Sequence, residues 1–207
     1  MRWLVFILFS YVALAFDWGL VALFEIDAGS FHRLRPSFLL ILAVYVAWSA
    51  APSVVPWAML ALGIICDLVP LPTQGSSSEM LTFGPRVVAD FVVIGPCALG
   101  FLVGGFVAQQ LKGLMSRHSV LAFAIVVVFC GVFIHLVIVA LLTLRGLPIT
   151  PASPVPHWNA ADQLARRFME ILYTALLAIP VGFILMRTDP IWDFPLPQAN
   201  RRPRRAG

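Results

Sequence analysis

Five apolar stretches in this 207-residue chain are long enough to cross a bilayer, and a sixth is marginal. They run over about residues 3–24, 37–51, 52–69, 87–108, 119–144 and 168–186. A helical span takes ~20 apolar residues, so almost nothing is left for a soluble domain. Only helices and closed barrels satisfy their backbone inside lipid. The runs here are continuous rather than alternating, which argues against a barrel. The expected fold is therefore an all-α integral membrane protein, a bundle of about six transmembrane helices over residues 1–186. A basic, disordered cytoplasmic tail is expected over 187–207. Composition agrees, at 60% hydrophobic and 12% charged.

The net charge of +4 is local. Arg201, Arg202, Arg204 and Arg205 form a tail that reads as a topology signal able to lie on an anionic leaflet. Nothing beyond that tail favours nucleic acid. Six spans put both ends on one side. With the ends in the cytoplasm, eight Lys and Arg fall inside and six outside, which the positive-inside rule favours. Met1-Arg2 and Ala13-Leu14-Ala15 resemble parts of a signal peptide, but the apolar run continues to Phe24, so the first helix is expected to be retained.

The 37–69 run is too long for one ordinary span. Pro52 and Pro56 interrupt it, and a tight hairpin near Pro52 is expected. Residues 25–36 form a short connection of mixed charge. Residues 70–85 are rich in Pro, Ser and Gly and read as a loop or re-entrant segment. Residues 145–167 open with Pro148, Pro151, Pro154 and Pro156, an extended stretch. A short interfacial helix is expected over 159–167, with Trp158 at headgroup level. No internal repeat points to an inverted-repeat transporter.

Function must reside in the few polar groups of the spans: Asp17, Asp67, Asp90, His135 and Glu170. An Asp at a helix centre costs ~3 kcal/mol on insertion scales. Because successive spans alternate in direction, all five fall in one half of the bilayer, the outer half if the ends are inside. Asp90 and Glu170 begin helices, where the dipole favours an acid. Asp67 ends one, beside carbonyls of like polarity. It needs a partner, with Arg86, His135 or a loop amide as candidates, and Asp17 has the same need in milder form. His135 is the deepest of the five and reads as a packing residue more readily than as a ligand. Cys66, Cys97 and Cys130 lie in spans without metal or CxxC spacing, so they read as small apolar residues. Ala43, Ala47 and Ala51, and Gly100 with Gly104, make small-residue faces suited to close helix contact, within the bundle or with another membrane protein. No protease, hydrolase, P-loop or dinucleotide motif is present. Gly75-Ser76-Ser77-Ser78 offers hydroxyls without a nearby His. No enzyme activity, cofactor or metal is expected.

One region carries a family resemblance. Arg35-Pro36 leads an apolar run with Tyr45. It is followed by Leu62-Gly63-Ile64-Ile65-Cys66-Asp67-Leu68, and Gly75 lies eight residues after Asp67. Downstream, 99–107 is glycine-rich and 109–117 is a basic turn. This pattern resembles MreD, the rod shape-determining membrane protein family, over about two thirds of the chain. The resemblance implies a non-enzymatic scaffold in the bacterial inner membrane, within the machinery of cell elongation and lateral peptidoglycan synthesis. Implied partners are MreC-like proteins, MreB, RodA and a penicillin-binding transpeptidase, besides membrane lipid. Gly63, Asp67, Gly75, Gly100 and Gly104 would serve helix packing or partner contact, with Asp67 holding a helix end or loop.

The MreD family is similar in fold to the substrate-binding subunits of energy-coupling-factor vitamin transporters. That likeness gives a second expectation, a vitamin site at the outer polar cluster, with Trp18 and Trp57 lining its walls. Fold similarity alone is a weak ground for function, and the Asp67 motif favours the scaffold.

Overall fold

The computed structural model describes residues 2–19, 26–27, 33–68, 95–114, 119–146 and 160–192. Gly75, Arg86, Asp90, the 70–85 segment, the proline-rich stretch and the arginine tail lie outside them. The first helix, α1 (Trp3–Gly19), is followed by a two-residue antiparallel ladder, β1 (Ile26–Asp27) with β2 (Arg33–Leu34), pairing Ile26 with Leu34. Then come α2 (Phe38–Ser49), α3 (Val55–Leu68), α4 (Pro96–Leu111), α5 (Val120–Gly146), α6 (Ala160–Arg187) and the single turn α7 (Asp189–Trp192). Apart from the small ladder, the described residues form a helical bundle.

The bundle is built around α2. Its sequence, FLLILAVYVAWS, is apolar on every face, which marks an enclosed helix rather than an amphipathic one. Phe38 through Trp48 are all buried, with α1, α3, α4, α5 and α6 packed against them. The turn expected near Pro52 is present. Ala50 donates back to the Val46 carbonyl at 2.8 Å, Val54 donates to the Ala51 carbonyl at 2.9 Å, and α3 begins at Val55. α4 and α5 run antiparallel through a close glycine contact. A Cβ at Gly100 would meet Ile138 and Ile134, and one at Gly104 would meet Ile134 and the Cys130 carbonyl.

Two helices are long and apolar enough to cross a membrane, over 120–141 in α5 and 167–187 in α6. The other four apolar segments form shorter helices of 17, 12, 14 and 16 residues. At ~1.5 Å per residue, α2 measures only about 18 Å. Proline and glycine set these ends. Pro36 precedes α2, Ala50-Ala51-Pro52 stops it, and Gly95-Pro96 starts α4. Of the segment expected over 87–108, the residues described are helical from Pro96, and the helix continues to Leu111. Gly95 adopts φ 140°, a conformation that favours glycine, and Pro96 supplies a fixed φ at N1, where no amide is needed.

Two boundaries differ from expectation. Of the stretch expected as a separate interfacial helix over 159–167, the described residues 160–167 are the first turns of α6, whose Ala, Leu and Arg content propagates without a break. The folded region also extends past Met186 to Trp192, which is fully buried.

The outer surface is apolar. Leu4 (83% exposed) and Tyr11 (73%) on α1, Phe106 (66%) on α4, Leu121 (67%) on α5 and Leu176 (64%) on α6 point away from the core. Within the two long apolar spans only 39% and 33% of the residues are buried. A helix at the core of a soluble domain would be mostly enclosed, and apolar exposure on this scale marks a surface that meets lipid or other proteins.

Candidate functional site

Two aspartates, each near the end of one helix, reach across to the open start of the next. Asp17 of α1 accepts from the backbone amides of Phe38 at 2.6 Å and Leu39 at 3.1 Å, and from the Ser37 hydroxyl at 3.4 Å. The two remaining amides at this end are also paired. Leu40 donates to Ser37 Oγ at 3.2 Å, and Ser37 donates to Thr174 Oγ1 of α6 at 3.2 Å. All the amides that the first turn of a helix leaves open are therefore satisfied. This matters because α2 starts inside an apolar bundle, where an orphan N–H is costly.

Asp67 of α3 does the same for α4. It accepts from Gly95 at 2.8 Å, Cys97 at 3.0 Å and Ala98 at 3.1 Å. Pro96 has no N–H, and Leu99 already donates to the Gly95 carbonyl at 2.9 Å. The partner that Asp67 needs is thus a set of backbone amides. An acid that is unfavourable at its own helix C-terminus is placed at the positive end of another helix. In Asp67→Asn, one oxygen can still accept from two amides while the new NH2 faces the third. The expected cost is about 1–3 kcal/mol of unfolding free energy, read from chemical denaturation in micelles.

The far end of α2 is closed by α4. Gln109 Nε2 donates to the Ala47 carbonyl, and Lys112 Nζ donates to the Ala50 carbonyl at 2.9 Å. The central helix carries no charge of its own, yet an anion stands at its N-terminus and a cation at its C-terminus, matching its dipole. Tyr45, on the same helix, donates its hydroxyl to Asp189 of α7.

The other anticipated residues are placed differently. His135 Nδ1 contacts the Gly131 carbonyl of its own helix at 2.9 Å, and Arg167 lies within electrostatic reach. The Glu170 carbonyl accepts from the Thr174 hydroxyl at 2.7 Å. Asp90 and Gly75 lie outside the described residues. Trp57 is 68% exposed and turned away from the core. The side chain of Trp18 lies outside the described residues. His135→Ala is expected to cost no more than about 0.5–1.5 kcal/mol, the worth of one neutral hydrogen bond, measured by the same denaturation assay.

Gly63, Gly100 and Gly104 have internal roles. Gly63 brings α3 onto α4, since a Cβ there would lie 2.8 Å from the Ala98 nitrogen and 2.9 Å from the Cys97 carbonyl. Gly100 and Gly104 face α5 rather than the outside. Gly63→Ala meets rigid backbone and is expected to lose about 1–3 kcal/mol through overpacking, seen as a lower melting midpoint.

Gln109, Lys112, Thr174, Asp189 and Trp192 belong to this polar framework without having been singled out by sequence. A usable signal existed for the aspartates: an acid near the end of one apolar run and a proline at or just before the start of the next helix, Pro96 or Pro36. Among the described residues no group of three or more His, Cys, Asp or Glu side chains could hold a metal ion. The arrangement is suited to fixing helix ends. No protein-family model matches the chain, and no curated protein or solved structure matches it either.

Proposed function

We propose that this chain is a non-enzymatic, multi-pass scaffold of the bacterial inner membrane that serves the elongation machinery in the manner of MreD. The observation that carries this reading is the use made of the bundle's acids. Asp17 and Asp67 each accept three hydrogen bonds from the chain itself. A catalytic or ligand-binding carboxylate has to keep lone pairs directed at a substrate, whereas these are committed to helix ends. A central helix enclosed on all sides fills the space where a bundle would hold a ligand.

In this reading all six apolar segments lie within the bilayer, with both termini in the cytoplasm. α5 and α6 cross it fully. The shorter helices are accommodated by local thinning and by their position beside longer neighbours, and α2 needs no lipid contact at all. Because Gly100 and Gly104 face α5, partner helices such as those of MreC-like or RodA-like proteins meet the outward apolar faces of α1 and α6 instead. The arginine tail meets anionic lipid or a cytoplasmic partner.

Deleting the gene in its own host tests the proposal. The expected result is loss of rod shape, with fluorescent D-amino acid label no longer incorporated along the lateral wall. Unchanged shape together with a growth defect cured by a vitamin would contradict it and favour the transporter-subunit reading.

A further inference from the structure

The junction of α3 and α4 holds two thiols that the scaffold role does not use. Cys66 immediately precedes Asp67, and Cys97 supplies one of the amides that Asp67 binds, at 3.0 Å. One turn earlier, at Gly63, the two helices are in close contact, and a Cβ there would lie 2.9 Å from the Cys97 carbonyl. Cys66 follows Gly63 by three residues and so shares its face. The two side chains lie close enough to interact electrostatically. Both are half-buried, whereas Cys130 is fully buried in the core. The Asp67 bonds fasten the start of α4, Cys97 included, to the end of α3 that carries Cys66.

We propose that Cys66 and Cys97 form a reversible disulfide that clips the end of α3 to the first turn of α4. The oxidant is a disulfide, carried by a small molecule or by a thiol oxidoreductase. One cysteine thiolate attacks it, forming a mixed disulfide and releasing one thiol. The second cysteine thiolate then attacks the sulfur of the first and expels the other thiol. Two cysteines are oxidised, the incoming disulfide is reduced to two thiols, and the two cysteine protons end on those thiols or in water. The bond closes the chain between α3 and α4 into a covalent loop and locks the Asp67 cap. The side from which the oxidant arrives rests on the orientation given above, which puts this end at the oxidising outer face.

The test uses the full chain in native membranes, quenched with acid and alkylated with N-ethylmaleimide before digestion and mass spectrometry. A peptide linking Cys66 to Cys97 is expected. It should disappear after reduction, be absent in Cys97→Ser, and return when oxidised glutathione is added to right-side-out vesicles. Oxidation should raise the melting midpoint of the wild type and leave Cys97→Ser unmoved. Both cysteines alkylated in every sample, or each capped singly by glutathione without linking, would overturn the proposal. Linking only in inverted vesicles would support the pair while overturning the orientation. Absence of the link with normal capture of wall-synthesis proteins would sink the disulfide and leave the scaffold reading intact.

Discussion

Asp17→Ala is expected to lower the unfolding free energy by roughly 3–6 kcal/mol, from two amide bonds to a carboxylate at ~1.5–3 kcal/mol each. The amides of Phe38 and Leu39 would be left without acceptors at the start of a helix enclosed on every face. Water reaches such a site poorly, so the orphaned groups bear their full desolvation cost. The loss should spread, because α2 is the element on which the other five long helices pack. Faster amide exchange is expected at residues 38–41, with loss of cooperative unfolding in micelles or nanodiscs. Asp17→Asn should fall between the variant and the wild type, since one acceptor oxygen survives. A melting curve for Asp17→Ala that overlays the wild type would show that the carboxylate contributes nothing to the start of α2.

Trp192→Ala is expected to cost about 3–5 kcal/mol, the usual range for truncating a buried aromatic residue. Trp192 closes the opposite end of the bundle. Its ring packs against Phe9 at a centroid distance of 4.8 Å and against Tyr45 at 5.4 Å. Its indole N–H donates to Thr188 Oγ1 at 3.2 Å, and its carbonyl accepts from the Arg2 amide at 3.2 Å. One residue thus joins the start of α1, the middle of α2 and the end of α6. Truncation should release α7 and expose residues near 188 to protease, with faster amide exchange at the beginning of α1. Trp192→Phe keeps the ring stack and loses only the indole hydrogen bond, so it should retain most of the stability. Equal losses in the two variants would mean that the hydrogen bond, not the packing, holds this end.

Much of the architecture is legible in the sequence because apolar length is a strong signal. The placement of the helical segments, the break at Ala51-Pro52 and the need of Asp67 for a partner all come from it. Helix length is less legible. The runs over 37–51 and 52–69 show where lipid-compatible residues lie, but proline and glycine decide how many become helical, and α2 keeps only twelve. The paired aspartate caps escape a search for repeats because the two spacings differ. Asp17 reaches 21 residues ahead to Phe38, while Asp67 reaches 30 ahead to Cys97.

Trp192 is hidden for another reason. It stands beyond the last apolar run, between Asp189-Pro190 and an arginine-rich end, where composition suggests a solvated tail. Only the three-dimensional return of the chain to Phe9 and Tyr45 reveals it as core. Gln109 and Lys112 are similar cases. In sequence they open a basic turn, and in the fold they close the last turn of α2. The glycine face at 100 and 104 could have served an internal or an external contact, and the distances to Ile134 and Ile138 assign it to α5.

The scaffold account is tested most directly by gently extracting a tagged, natively expressed copy and identifying by mass spectrometry every protein and small molecule that leaves the membrane with it. The account predicts MreC-like and other wall-synthesis proteins, with no retained ligand. A vitamin bound in stoichiometric amount, or the ATPase subunits of a transporter, would contradict it.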